Sequence, residues 1–586
     1  MSLYPLVMGR HAMIASEHYL SAAAGARIFT LGGNAIDAAI AAAFVEGIVN
    51  PHMHTIGGEA PILIRPAGGS EVFAINGNMI APQRATIEHY RSLGLELVPP
   101  SGLLAAGVPA ALDAFVTALS KFGTMSLAQV LEPALEIAED GFAVHPGLSG
   151  AELSADAQYA GAGASIRNFV KKFHEEWPST AAIYLPDGNV PKPGTVLKNP
   201  ALGRFYRKIL DAESGVRNRG RTQALNAARD RFYRGDIARE IVAWSDANGG
   251  LLALGDFAKF ETRVEAPATL SYRGITVSKC GPWSQGPVFL QQLALLEGYN
   301  LAQLGHNSAD YIHLVTEASK LAFADREAYY GDPEFVDVPI DGLLSRRYAE
   351  LRRALIDRER ASMELRPGDP RKMSALAGSA VSSRGWGSGT VHVDACDRAG
   401  NIIAVTPSGG WIPSSPVIPE LGFPLGSRMQ TFYLDPSHPN ALAPGKRPRT
   451  TLSPSLAIGP DGRAIAFGTP GGDQQDQWTL QFFLNVVEFG MNLQEAVESP
   501  KFSSAHFPSS FYPHNARPGA VRIEKRIDET VVNELASRGH KIEVRTDWSE
   551  GHVLAVEFEP SSGVLSGACD PRGQIMPVMA AQVVGW

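Results

Sequence analysis

Apolar residues recur at three- and four-residue steps through residues 36–49, 104–119, 127–139 and 308–330, the spacing of one buried helical face. The last of these opens like a capped helix, with Ser308 or Asn307 as the N-cap. Residues 22–49 are the most apolar stretch, yet Arg27, Gly32-Gly33-Asn34, Asp37 and Glu46 interrupt it. A bilayer needs about 20 uninterrupted apolar residues, so this stretch predicts two helices joined by a Gly-Gly-Asn turn rather than a membrane span. Short strands are expected between the helices, at 60–64 and 72–75.

The texture changes in the last third. An Arg-rich segment, 352–371, is followed by small and polar residues through 374–389, the composition of a flexible linker. At Thr390 strict alternation begins. Thr390, His392 and Asp394 fall on one face of the expected strand 390–394, and Val391, Val393 and Ala395 on the other. Residues 397–401 read as a turn and 402–406 as the return strand of a hairpin, with further strands at 455–458, 464–468 and 552–558.

Composition narrows the class. The chain has 586 residues, which allows up to about four domains at roughly 150 residues each. Apolar residues at 45% and charged residues at 19% exclude a disordered or fibrous chain. Abundant glycine (59) and proline (41) predict many tight turns rather than long helices. A net charge of −8 argues against a nucleic-acid partner, because an acidic surface repels phosphate. Three cysteines, with no Cys-x-x-Cys spacing, supply neither a disulfide framework nor a zinc site. The first ten residues lack a basic segment leading into an apolar core, so a cytoplasmic location is expected.

Candidate chemistry concentrates around the boundary at 389/390. A linker running into Gly389-Thr390 at the head of a strand is what a self-cleaving hydrolase requires, since glycine permits the backbone geometry of attack on the preceding carbonyl. Cleavage there would give Thr390 a free α-amine of pKa about 7.7–8.0 beside the hydroxyl it must activate. On these residues alone, a loop entering a strand is the competing reading. Gly471 and Gly472, just past the apolar strand 464–468, can aim two backbone N–H groups at one point, as an oxyanion demands, or can simply form a turn. Thr450-Thr451 beside Arg447 and Arg449 suit a carboxylate, or capped turns. His52-x-His54 with Glu59 lacks the helical spacing of a metalloprotease pair, so no metal or cofactor is expected. Neither a nucleophile-elbow serine motif nor a phosphate-binding loop is present.

Taken in order, Gly32-Gly33-Asn34-Ala35-Ile36-Asp37-Ala38-Ala39, Ile56-Gly57-Gly58, Gly305 to Tyr311, 322–326, Gly331-Asp332-Pro333, Gly389-Thr390, Lys446-Arg447-Pro448, Pro454, Pro470-Gly471-Gly472 and Asp570-Pro571-Arg572 resemble the γ-glutamyltranspeptidase family of N-terminal-nucleophile hydrolases. The resemblance spans the whole chain. It implies an α/β (α+β) fold, a four-layer αββα sandwich, made as a proenzyme and cut into a large subunit, 1–389, and a small one, 390–586, that stay associated. A homodimer of that processed unit is compatible with it, and a small-molecule amide is the implied partner. Thr390 would form an acyl-enzyme, Ser408 would support it, Gly471 and Gly472 would form the oxyanion hole, and Thr450 and Thr451 would hold a donor carboxylate.

Departures from the family pattern bear on the substrate. Where glutathione-cleaving members carry an arginine for the α-carboxylate, this chain has Asn78. The positions that hold the α-ammonium are Gly410, Arg428 and Thr431, so the ammonium's carboxylate partner is expected to be missing and a cation to stand in its place. Trp411 would wall the pocket, and 432–446 is shorter than the usual lid loop. The expectation is an acylase or amidohydrolase for a carboxylate-bearing amide of the oxamate or glutaryl type. The alternatives are a true γ-glutamyltransferase acting on glutathione, with Arg84 or Arg449 replacing the arginine, and an uncleaved binding paralogue.

Overall fold

The computed structural model describes residues 2–151, 162–376, 389–575 and 579–586. Most of the expected linker, at 377–388, lies outside them. Two seven-stranded sheets, antiparallel throughout, form the centre. One runs Val7–Gly9, Val564–Cys569, Leu554–Glu559, Ala464–Gly468, Ser455–Ile458, Ile275–Lys279 and Ala268–Tyr272. The other runs Gln582–Gly585, Ala12–Ser16, Val393–Asp397, Ile402–Val405, Ile62–Arg65, Phe73–Asn76 and Arg263–Glu265. Strands from before and after residue 390 are therefore hydrogen-bonded neighbours within both sheets. Val393–Asp397 sits between Ala12–Ser16 and Ile402–Val405.

Alternation along the strands produces the layers. Met13, Ala15, Leu63, Leu456, Ala466, Leu554 and Val556 point inward and make the apolar core between the sheets. The opposite face of the second sheet is covered by Tyr19–Thr30 and Ala35–Val49, and Leu127–Asp140 packs on Ala35–Val49 from outside, with Ile40, Phe44 and Leu131 in one apolar cluster. The outer face of the first sheet is covered by Pro287–Leu296 and Gln475–Val487, where Phe289 and Phe483 each lie 6.0 Å from the Phe467 ring, and Ala309–Tyr329 packs on Pro287–Leu296. Helix, sheet, sheet, helix is the four-layer αββα sandwich.

Local sequence explains the element ends. Tyr19–Thr30 and Ala35–Val49 are the two helices on either side of Gly32-Gly33-Asn34. Asn34 accepts from the N–H groups of Ile36 and Asp37, and Asp37 returns a bond to the Asn34 N–H, a reciprocal cap. Ser308, not Asn307, caps Ala309–Tyr329. That helix has 21 residues, so abundant glycine and proline did not exclude a long helix. The expected helix at 104–119 is also corrected. A single tight turn, Leu103–Ala105, precedes Ala111–Phe122. Pro109 biases Val108 toward extended backbone, and the Val108 N–H pairs with the Ile80 carbonyl instead. The strand expected at 390–394 enters its ladder only at Val393, while Thr390 makes an isolated bridge with Ser408.

Candidate active site

Thr390 is buried where its chain crosses the start of the Ser408 segment. Its Oγ1 lies 3.2 Å from the Ser408 Oγ. The carbonyl oxygen of Gly389, one bond upstream, accepts from the Ser408 hydroxyl at 2.8 Å and from the Trp411 indole Nε1–H at 2.6 Å. A serine hydroxyl has one hydrogen and two lone pairs. With that hydrogen on the Gly389 oxygen, Ser408 can accept from Thr390 and from Arg428 Nη2, which is 2.8 Å away. A Cβ at Gly389 would stand 2.5 Å from the Met53 sulfur and 3.0 Å from the His52 carbonyl oxygen, so a side chain there would require Met53 to shift.

Arg428 opens the short turn Arg428–Thr431 and is fully buried. Its Nε donates to Glu59, also fully buried. The guanidinium lies between two rings, 5.1 Å from the Trp411 centroid and 5.3 Å from that of Phe511. Arg428 Nη1 has no hydrogen-bond partner among the described residues. Burial pushes the Glu59 carboxyl above its ordinary range, and the Arg428 charge pulls the other way. A carboxylate is thus present after all, delivered from the Gly57-Gly58 turn and held by Arg428; the expectation that the site lacks one is corrected. The Thr431 hydroxyl closes its own turn by donating to the Arg428 carbonyl at 3.0 Å. Gly410 is left-handed at φ 61° and packs on Thr55, whose hydroxyl donates to its carbonyl at 2.7 Å.

Gly471 and Gly472 follow Ala464–Gly468 with φ of 120° and 59°, values that disfavour any side chain. The Gly472 carbonyl accepts from Gln285 Nε2 at 3.2 Å, and the Gln285 N–H donates to the Thr450 carbonyl at 2.9 Å. Gln285 therefore ties the glycine turn to the threonine pair. A Cβ on Gly472 would lie 3.0 Å from the Phe511 ring, so Phe511 joins that turn to the Arg428 face. Asp473 anchors the turn by accepting from Arg326 and from the Ser510 hydroxyl at 2.6 Å. The Thr451 hydroxyl is buried with no partner among the described residues.

Thr390, Ser408, Trp411 and Arg428 are thus directly linked, and Gly472 and Thr450 connect to them through Phe511 and Gln285. Asn78 stands beside the threonine segment, its Nδ2 donating to the Pro448 carbonyl at 2.6 Å. Both candidate replacement arginines have carboxylate partners. Arg84 is paired with Asp246 at 2.6 Å, and Arg449 with Glu327 at 2.7 Å. His54 Nδ1 lies 3.3 Å from the Ser408 carbonyl, and burial pushes this imidazole down to about 3, so it is neutral. Phe511 and Gln285 are site neighbours that sequence reasoning missed, and Glu59, weighed there only as a metal ligand beside His52 and His54, is the partner of Arg428. No helix among the described residues is long and apolar enough to cross a membrane.

The family model described as gamma-glutamyltranspeptidase matches residues 21–579. The chain belongs to the gamma-glutamyltranspeptidase family. Among its curated relatives, Acylase ACY 1 proenzyme of Pseudomonas sp. (strain SE83) is 34% identical, over 97% of this chain and 94% of the relative. Oxamate amidohydrolase proenzyme of Klebsiella pneumoniae is 30% identical, over 96% of this chain and 97% of the relative. A solved structure titled LmbA2991HD superposes with a TM-score of 0.91 at 42% identity, each chain covered completely. This gamma-glutamyltranspeptidase-family chain is accordingly an amide-bond hydrolase or acyltransferase.

Proposed function

We propose that the chain cuts itself between Gly389 and Thr390 and that Thr390, as the new chain start, is the nucleophile of an amide hydrolase. One observation carries this reading: the Gly389 carbonyl oxygen rests on two side-chain donors, and one of them, Ser408, also touches the Thr390 hydroxyl. In the first step Thr390 Oγ bonds to the Gly389 carbonyl carbon, and the carbon–nitrogen bond breaks. The hydroxyl proton, passed through Ser408, ends on the Thr390 nitrogen. Water then hydrolyses the ester, leaving a Gly389 carboxylate and restoring the Thr390 hydroxyl.

The pieces 1–389 and 390–586 would stay together, because each sheet is built from strands of both. In turnover the free Thr390 amine takes the hydroxyl proton as Oγ attacks a substrate amide. The N–H groups of Gly471 and Gly472 stabilise the oxyanion. The leaving amine departs, and water or a second amine releases the acyl group.

The acyl donor we infer is a small carboxylate-bearing amide without an α-ammonium. The Glu59 carboxylate that could meet an ammonium is taken by Arg428, whereas Arg428 Nη1 and the Thr451 hydroxyl are unused donors. The ion pair is neutral as a whole, so a carboxylate would be read by N–H and O–H donors rather than by net charge. Comparing glutaryl-p-nitroanilide, oxamate and γ-glutamyl-p-nitroanilide as donors tests this. Turnover of either of the first two should exceed that of the third. Fast, Thr390-dependent release from the γ-glutamyl compound would overturn the substrate assignment.

A further inference from the structure

Resting on the reading of Gly389–Thr390 as the self-cleavage bond, we infer that the Trp411 indole N–H is a catalytic donor of that cleavage, the second half of an oxyanion hole whose first half is Ser408. A peptide oxygen that becomes tetrahedral gains negative charge, and donors already aimed at it lower the barrier without reorganising. The Gly389 oxygen has two such donors, at 2.8 Å from Ser408 and 2.6 Å from Trp411. The Ser408 hydroxyl is shared, because it also faces Thr390 and Arg428. The indole N–H has one partner, the Gly389 oxygen, and holds no proton that must move during the reaction.

The surroundings fix the indole in this role. The chain reaches Trp411 through two consecutive left-handed glycines, Gly409 at φ 77° and Gly410 at φ 61°. Its ring is 3% exposed and lies against the Arg428 guanidinium, which is itself held by Glu59 and Ser408. Packing and cation–π contact therefore hold the N–H on the scissile oxygen before any chemistry begins. The glycine N–H pair at 471–472 serves a different oxygen, that of the external substrate. Processing and turnover thus use separate donor sets around one nucleophile.

The test follows conversion of freshly synthesised precursor by intact mass, for the unsubstituted chain, Trp411→Phe, and a chain carrying β-(3-benzothienyl)alanine at 411. The last keeps the ring shape and removes only the N–H, so it guards against a packing artefact of Trp411→Phe. Losing one oxyanion donor costs on the order of 10²–10³-fold in rate. Conversion should slow by about that factor in both variants, with melting like that of the uncut Thr390→Ala chain and with the eventual small piece still beginning at Thr390. Unsubstituted-like conversion of the benzothienyl chain, with Thr390→Ala uncut, overturns the role of Trp411 and leaves the cleavage reading standing. An unsubstituted chain that is never cut overturns both.

Discussion

Arg428 and Glu59 form a fully buried ion pair although 369 residues separate them in sequence. Removing one partner of such a pair leaves an unpaired buried charge and costs about 3–5 kcal/mol. Glu59→Gln should therefore lower the unfolding midpoint markedly. The double variant Glu59→Leu with Arg428→Met should recover much of the loss, because apolar groups of similar volume replace a buried pair at little cost. Thermal melts of the two variants check this; an unchanged midpoint in Glu59→Gln would contradict the pairing.

Ser408→Ala should slow self-cleavage strongly, since it takes one donor from the Gly389 oxygen and the acceptor from Arg428 Nη2. Ser408→Thr keeps the hydroxyl and should process close to normally. Time courses on denaturing gels separate them. Equal rates for the alanine and threonine variants would remove Ser408 from the relay.

Gly471→Ala is expected to damage turnover. An added Cβ would stand 2.2 Å from the Trp478 ring, on backbone at φ 120°. Displacing one N–H from the oxyanion should lower kcat by about 10²–10³-fold with a smaller change in KM. Steady-state kinetics of the processed variant decide it; a change confined to KM would assign the glycine turn to binding alone.

Acid sensitivity should follow from the buried histidines. Burial pushes His54 and His506 down to about 3, and His145 and His552 down to about 4. As pH falls below about 6.5 these side chains take up protons in the unfolded chain but not in the folded one, so stability is lost on acidification. Glu46 works the other way. Burial raises it to about 7, so its contribution is present at low pH and lost as pH rises from about 4.5 to 7. Histidines that burial lowers, His18, His52 and His540 among them, outnumber the carboxyls that burial raises, which include Glu17 and Glu59, so unfolding midpoints should fall in order at pH 7, 6.5 and 5.5. A midpoint that rises over this series would contradict the neutral buried histidines.

Local signals were readable where they are self-contained. The strands Ser455–Ile458 and Ala464–Gly468 have the limits their apolar runs prescribe. The Gly32-Gly33-Asn34 turn is a three-residue signal, and it separates Tyr19–Thr30 from Ala35–Val49. At 104–119 periodicity misled, because it gives no weight to one proline that hands the Val108 N–H to the Ile80 carbonyl. The site divides in the same way. Gly389-Thr390 and Gly471-Gly472 are adjacent pairs whose chemistry is local. Glu59 beside two glycines, and Phe511 in a loop, acquire meaning only when folding brings Arg428 between them, and no nearby residue signals that. Trp411 was expected as a wall, and its N–H bond to Gly389 depends on a backbone position 22 residues away.

The central claim is most directly tested by intact mass and N-terminal sequencing of mature protein. The account predicts two tightly associated pieces of 389 and 197 residues, the smaller beginning Thr-Val-His-Val, and a single uncut chain for Thr390→Ala. A mature protein that remains one 586-residue chain, or one cut elsewhere, would contradict it.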